Sequence, residues 1–224
     1  LISEISYFYT STNHFLLKKI FFLASLSVLL CCQSKTHESA EEANTLATDT
    51  LANQPVHSPE AFNKQLLSGG FLNYAETKKP VKESELNIYD ENTNKYAFVD
   101  AEALTEFDFK FFNTQIKRML AKRNIQISVT PAPDAEKSFA VLIQNEKIPL
   151  YTAEELKDGT YWTTGPKVFF KKINALLKAK NCNEQFYLLY EGTNDLSVFL
   201  LTPTEHAILK EIYKNDPKEI PVLP

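Results

Sequence analysis

The apolar runs of this chain come in pairs joined by short polar turns, and that restricts the kind of sheet they can build. QFYLLY and SVFLL flank EGTND, FAVLI and IPLY flank a turn containing NEK, and SELNIY and KYAFV flank DENTN, so that Glu85 to Val99 reads as a hairpin. Asp and Asn favour such turns. Antiparallel neighbours close through a few residues, whereas parallel neighbours need a crossover of a dozen or more. The expected architecture is therefore α+β, a mostly antiparallel sheet with helices packed on one face, and not the parallel sheet of a nucleotide-binding fold.

The segments between these runs have helical spacing. Asp100 caps an expected long helix in which Phe109, Phe112, Ile116, Met119 and Leu120 recur at three- and four-residue steps. Its early residues are acidic (Glu102, Glu106, Asp108) and its late ones basic (Lys117, Arg118, Lys122, Arg123), as the helix dipole favours. IQISV, joined through TPAPD to FAVLI and then IPLY, predicts a three-stranded meander. Thr152 with Glu155, and Thr202 with Glu205, have capping-box spacing, and Gly159 ends the first of those helices. Pro166 suits the first turn of a second long helix reaching about Lys180, with Phe169, Ile173, Leu176 and Leu177 on one face. Tyr161 and Trp162 then fall in a loop ahead of it, where aromatic side chains serve as anchors, and they are the candidate recognition residues. The expected order is ββ-α-βββ-α-ββ-α. From the first long helix onward it resembles the small secretion-chaperone-like α+β fold, and its first half is similar to profilin- or longin-like domains; both likenesses concern topology and carry no function.

Ahead of this domain lies KKIFFLASLSVLLCCQSK, Lys18 to Lys35. The apolar run from Ile20 to Cys32 is too short to cross roughly 30 Å of hydrocarbon, which takes about 20 helical residues. Lysines followed by a short apolar stretch form the pattern of an export signal. Its end, Leu29-Leu30-Cys31-Cys32, resembles the lipobox of bacterial lipoproteins, with leucine three positions ahead of the acylated cysteine. That resemblance implies lipid attachment at Cys32, with Cys31 as the alternative. It also implies a cell-envelope location held by acyl chains, in the outer membrane because Gln33 rather than aspartate follows. The chain begins with Leu1 and contains one methionine, Met119, so Leu17 is read as the start. The expected organisation is an upstream leader over 1–16, a signal peptide over 17–31, a polar tether over 32–62 and one α+β domain over 63–224.

Chemistry is less legible. A net charge of −4 argues against a nucleic-acid partner. Of three cysteines only Cys182 lies in the domain, so no internal disulfide is expected there, and of four histidines only His206 does. Too few ligands remain for a histidine-rich metal site, and five scattered glycines write no phosphate-cradling loop. Carboxylates at Asp90 and Glu91, Glu102 and Glu106, Glu154 and Glu155, and Glu191 and Asp195 each have a place in a turn or cap. The expectation is a non-enzymatic binding or interaction module with a protein or peptide partner, no metal and no cofactor. The alternatives are an envelope hydrolase using a carboxylate pair and a small-ligand-binding lipoprotein.

Overall fold

The computed structural model describes residues 59–76 and 79–224. The assignments of leader, signal peptide and lipidated cysteine, Cys31 and Cys32 included, lie outside the described residues. Helix α1, Pro59–Ser68, begins ahead of the expected domain boundary at 63. The fold is α+β with antiparallel sheets, as the short turns require. Among the described residues, no helix is long and apolar enough to cross a membrane.

Two three-stranded sheets replace the expected single one. The first has the order β1-β6-β5, from β1 (Tyr96–Phe98), β5 (Gln185–Leu189) and β6 (Ser197–Leu201). The second has the order β2-β3-β4, from β2 (Val129–Pro131), β3 (Ala140–Ile143) and β4 (Glu146–Pro149), and is the expected meander. The β5–β6 hairpin also forms where its turn predicted, with Tyr187 opposite Phe199 and Leu188 opposite Val198.

The hairpin expected over Glu85 to Val99 does not form. Residues Glu83–Glu85 make a 3-10 turn, and β1 pairs instead with β6, Tyr96 opposite Phe199. DENTN is still a turn: the Asp90 side chain accepts from the Asn92 N–H, and Asn94 takes the left-handed conformation at φ 55°. Lys95, immediately after it, is thereby carried into the interior.

The helix expected from Asp100 is broken. α2 (Ala101–Thr105) is capped by Asp100 as read, but Phe107 turns left-handed at φ 63° and the chain restarts with the Asp108 side chain accepting from Lys110 N–H. A π-helical stretch, Phe112–Ile116, then runs into α3 (Lys117–Ala121). In an unbroken α-helix Phe111 would point about 200° round from Phe109. Here Phe109, Phe111 and Phe112 are all buried with ring centroids 5.8, 6.1 and 5.9 Å from that of Phe169, and burying aromatic rings in this way is strongly favourable.

A short helix, α4 (Ala135–Ser138), sits between β2 and β3. α5 (Ala153–Asp158) has both hydrogen bonds of its capping box and ends at Gly159, φ 83°. α6 (Tyr161–Ala179) starts earlier than Pro166 suggests, so Tyr161 and Trp162 open a helix and do not lie in a loop. α7 (Pro203–Ile212) has the second complete capping box.

Helices cover both faces of the first sheet, not one. Phe186, Leu188, Val198 and Leu200 face Phe169, Phe170, Ile173 and Leu177 of α6. Tyr187, Leu189, Phe199 and Leu201 face Leu66 of α1 and Leu209 of α7. All five residues of β6 are buried, which explains why its sequence is an apolar run with no polar alternation.

Candidate functional site

Where α7 ends, the cover on that second face runs out. The chain leaves the helix, makes a 3-10 turn at Pro217–Glu219 and returns along β5, where Leu188 and Val222 exchange two backbone hydrogen bonds of 2.7 Å. Between this terminal segment and the open ends of β1, β5 and β6 lies a trough of about 810 Å³. Phe98 on β1, Tyr190 after β5 and Val222 line it, and they are 45%, 36% and 42% exposed. Leu223, beside Val222 in sequence, is 54% exposed. Among the described residues only one other large apolar side chain, Leu156, is comparably exposed.

The trough has polar walls. Glu191, Thr193 and Asp195 come from the β5–β6 turn and Lys218 from the terminal 3-10 turn. Glu191 Oε1 lies 3.0 Å from Lys167 Nζ of α6, while its Oε2 is buried and has no hydrogen-bond partner. Glu219 ties the terminal segment down by accepting from two phenols, Tyr190 at 2.5 Å and Tyr89 at 3.1 Å. The hydrogen bond to the Glu219 carboxylate, with some burial and the nearby charges of Glu219 and Asp216, pushes the Tyr190 phenol up to about 12. Burial first, then its bonds to Tyr213 and Glu219, push Tyr89 upward as well.

A second constellation lies in the interior, and no local pattern in the chain announces it. Lys95 Nζ donates to Glu184 Oε1 at 2.6 Å and to both oxygens of Glu205 at 2.7 and 2.8 Å. Arg123 grips Glu184 with Nε and with Nη2, the latter at 2.7 Å, donates to the Met119 carbonyl, and lays its guanidinium 4.0 Å over the ring of Tyr74. All four charged side chains are 4% exposed or less. Burial alone would push the Glu184 carboxyl up, but the hydrogen bonds and charges of Arg123 and Lys95 outweigh it and hold the group below the ordinary carboxylate range. Two cations offset two carboxylates, and each charge has a bonded partner, which is the condition for burying such a set. This geometry braces β1, α3, β5 and α7 against one another, and Arg123 and Glu184 also line a shallow polar cavity of about 320 Å³ beside Tyr74 and Cys182.

The residues singled out by sequence are dispersed. Tyr161 and Trp162 are half-buried, their rings 5.3 Å apart, with Tyr161 5.4 Å from Tyr151 at the edge of the main core. They lie outside the trough lining. His206 stacks on Tyr187 at 4.0 Å and its Nε2 is 2.8 Å from the Pro221 carbonyl, so it holds the terminal segment in place. Cys182 is a half-buried free thiol after α6. Asp90 serves a turn, Glu91 bonds Gln115, Glu155 closes a cap and Glu191 pairs with Lys167. Only the Glu191 and Asp195 pair reaches the trough. The apolar residues Phe98 and Val222 could have been noticed only as strand and tail residues without a helical partner. Among the described residues, no group of three or more His, Cys, Asp or Glu side chains is placed to hold a metal.

Comparison with protein-family models, with curated proteins and with solved structures finds no match to this chain.

Proposed function

We propose that this chain is an envelope lipoprotein, anchored through Cys32, whose α+β domain is a non-enzymatic interaction module that binds a protein or peptide segment in the trough beside the segment that follows α7. The observation carrying the binding part is the gathering of Phe98, Tyr190 and Val222, each more than a third exposed, in one concavity. Contiguous exposed apolar surface with a polar rim is what interaction sites are made of. Glu184 and Glu205, the two carboxylates that share one ammonium, are occupied by Lys95 and Arg123, which favours binding over acid–base work for this domain. The anchor rests on the lipobox resemblance at Leu29 to Cys32. Several acyl chains, at about 0.8 kcal/mol per buried CH₂, hold a protein stably to a bilayer where one chain does not.

Two arms test the reading. A fatty-acid probe should label the wild-type chain and Cys31→Ala but not Cys32→Ala; an unlabelled wild type overturns the anchor. A photo-crosslinking phenylalanine analogue at position 98 should give one discrete adduct in the envelope, lost when Val222→Asp charges the trough. The same analogue at Leu156 should give none. An adduct at position 162, with none at 98, moves the interface to the Tyr161 and Trp162 surface and overturns the trough.

A further inference from the structure

The two outer edges of the first sheet are finished differently. On β5 the residues whose backbone groups point away from β6 are Phe186 and Leu188, and both are met. The Asn174 carboxamide of α6 donates to the Phe186 carbonyl at 2.9 Å and accepts from its N–H at 2.7 Å, as a neighbouring strand would, and Leu188 exchanges its two bonds with Val222. β1 is not closed in this way. The Lys95 carbonyl accepts from Leu200 N–H at 2.7 Å and Val99 N–H donates to the Leu196 carbonyl at 2.9 Å. By the alternation of an antiparallel pair, Lys95, Ala97 and Val99 then bond to β6, while the backbone groups of Tyr96 and Phe98 point outward. Of these outward groups the Phe98 N–H is met by Glu91 Oε1 at 3.3 Å. Among the described residues, the Tyr96 N–H and the carbonyls of Tyr96 and Phe98 have no hydrogen-bond partner. SELNIY, the stretch expected to lie beside β1 as the other arm of a hairpin, forms no ladder with it. Tyr96 and Phe98 also line the trough, so one ligand can reach both the edge and the floor. A row of open backbone donors and acceptors is matched by another extended backbone.

Resting on the reading of the trough as a binding surface, we infer that its occupant is an extended segment of another protein that adds to β1 as a further strand, antiparallel like the other pairs of this sheet. One ligand residue exchanges two backbone bonds with Tyr96. The residue two positions before it donates to the Phe98 carbonyl, and accepts from the Phe98 N–H once the Glu91 carboxylate swings aside. Directly opposed residues of an antiparallel pair share a face, so these two ligand side chains lie beside Tyr96 and Phe98 on the trough side, and the residue between them lies on the other. The recognised pattern is therefore an apolar residue at alternate positions, with main-chain bonds supplying affinity and the alternate side chains selectivity.

The test uses the full chain in detergent micelles and a random seven-residue peptide display library, followed by anisotropy on labelled synthetic copies of the selected peptides. Selected peptides should carry apolar residues at alternate positions. N-methylation of one amide at a time should weaken binding about tenfold at every second amide and leave the amides between them unaffected, because only alternate N–H groups face β1. Glu91→Ala, which frees the Phe98 N–H for the ligand, should tighten binding about threefold. Unchanged melting establishes that this variant is folded, and the N-methyl scan on the wild-type chain carries the test if it is not. Peptides lost with Phe98→Asp but indifferent to N-methylation, or sensitive to it without the two-residue alternation, overturn the added strand and leave the trough as a binding surface. An alternating pattern with affinity unchanged or weakened in folded Glu91→Ala puts the strand on another edge and overturns the assignment to β1. Peptides unaffected by Phe98→Asp and Val222→Asp, or none selected at all, overturn both readings.

Discussion

Lys95 is where local and global chemistry meet. One ammonium serves two buried carboxylates, and its removal leaves both without their shared cation in a medium that solvates charge poorly. Lys95→Met is expected to cost about 3–5 kcal/mol in urea unfolding, the range for breaking a buried ion pair. Glu184 makes the second case. Its folded-state pKa lies below the unfolded value, so its contribution to stability is present above the ordinary carboxylate range and is lost as pH falls through the folded value. Unfolding free energy measured from neutral to acid pH should therefore decline more steeply in the wild type than in Glu184→Gln; parallel curves would remove Glu184 from that account. At the alkaline end Tyr190 and Tyr151 should titrate at about 12, above the ordinary tyrosine value of about 10. Absorbance titration of Tyr190→Phe and Tyr151→Phe each losing one late-ionising phenol checks this.

At the level of elements, two capping boxes with the same sequence logic have different consequences. Thr152 and Glu155 close α5 at the surface, and Thr152→Ala should cost about 1 kcal/mol, the usual value of an N-cap. In α7 the Glu205 carboxylate accepts from the Thr202 N–H and at the same time from Lys95. Thr202→Ala frees Glu205 to shift away from Lys95 and should cost more than Thr152→Ala when both are measured by chemical denaturation. The caps were legible because they bind residues three apart. The π-helical stretch and the left-handed Phe107 were not, because the apolar spacing of Phe109, Phe112, Ile116, Met119 and Leu120 is compatible with a continuous helix. What breaks that helix is Phe111, whose burial beside Phe169 requires a neighbour more than fifty residues away.

For the whole molecule, the terminal segment is the element that makes the trough. It is held by the Leu188 and Val222 backbone pair, by His206 on the Pro221 carbonyl and by Glu219 under two phenols. A chain ending at Glu219 should keep the two sheets and their cores, whose residues lie elsewhere, and lose the trough wall. Circular dichroism close to wild type together with loss of the position-98 crosslink is the expected result.

Sequence by itself determined the turns, the caps, the antiparallel sense of the sheets and the meander, because each depends on hydrogen bonds between residues a few positions apart. The α+β class followed from them. Only the tertiary structure decided that β1 pairs with β6, that helices cover both faces of the first sheet, and that Lys95, Arg123, Glu184 and Glu205 meet, across separations of 61 to 110 residues. Their charges would be unremarkable on a surface. They become a brace only because distant apolar elements exclude water around them, and Phe98 and Val222 stay exposed because, among the described residues, no element covers them.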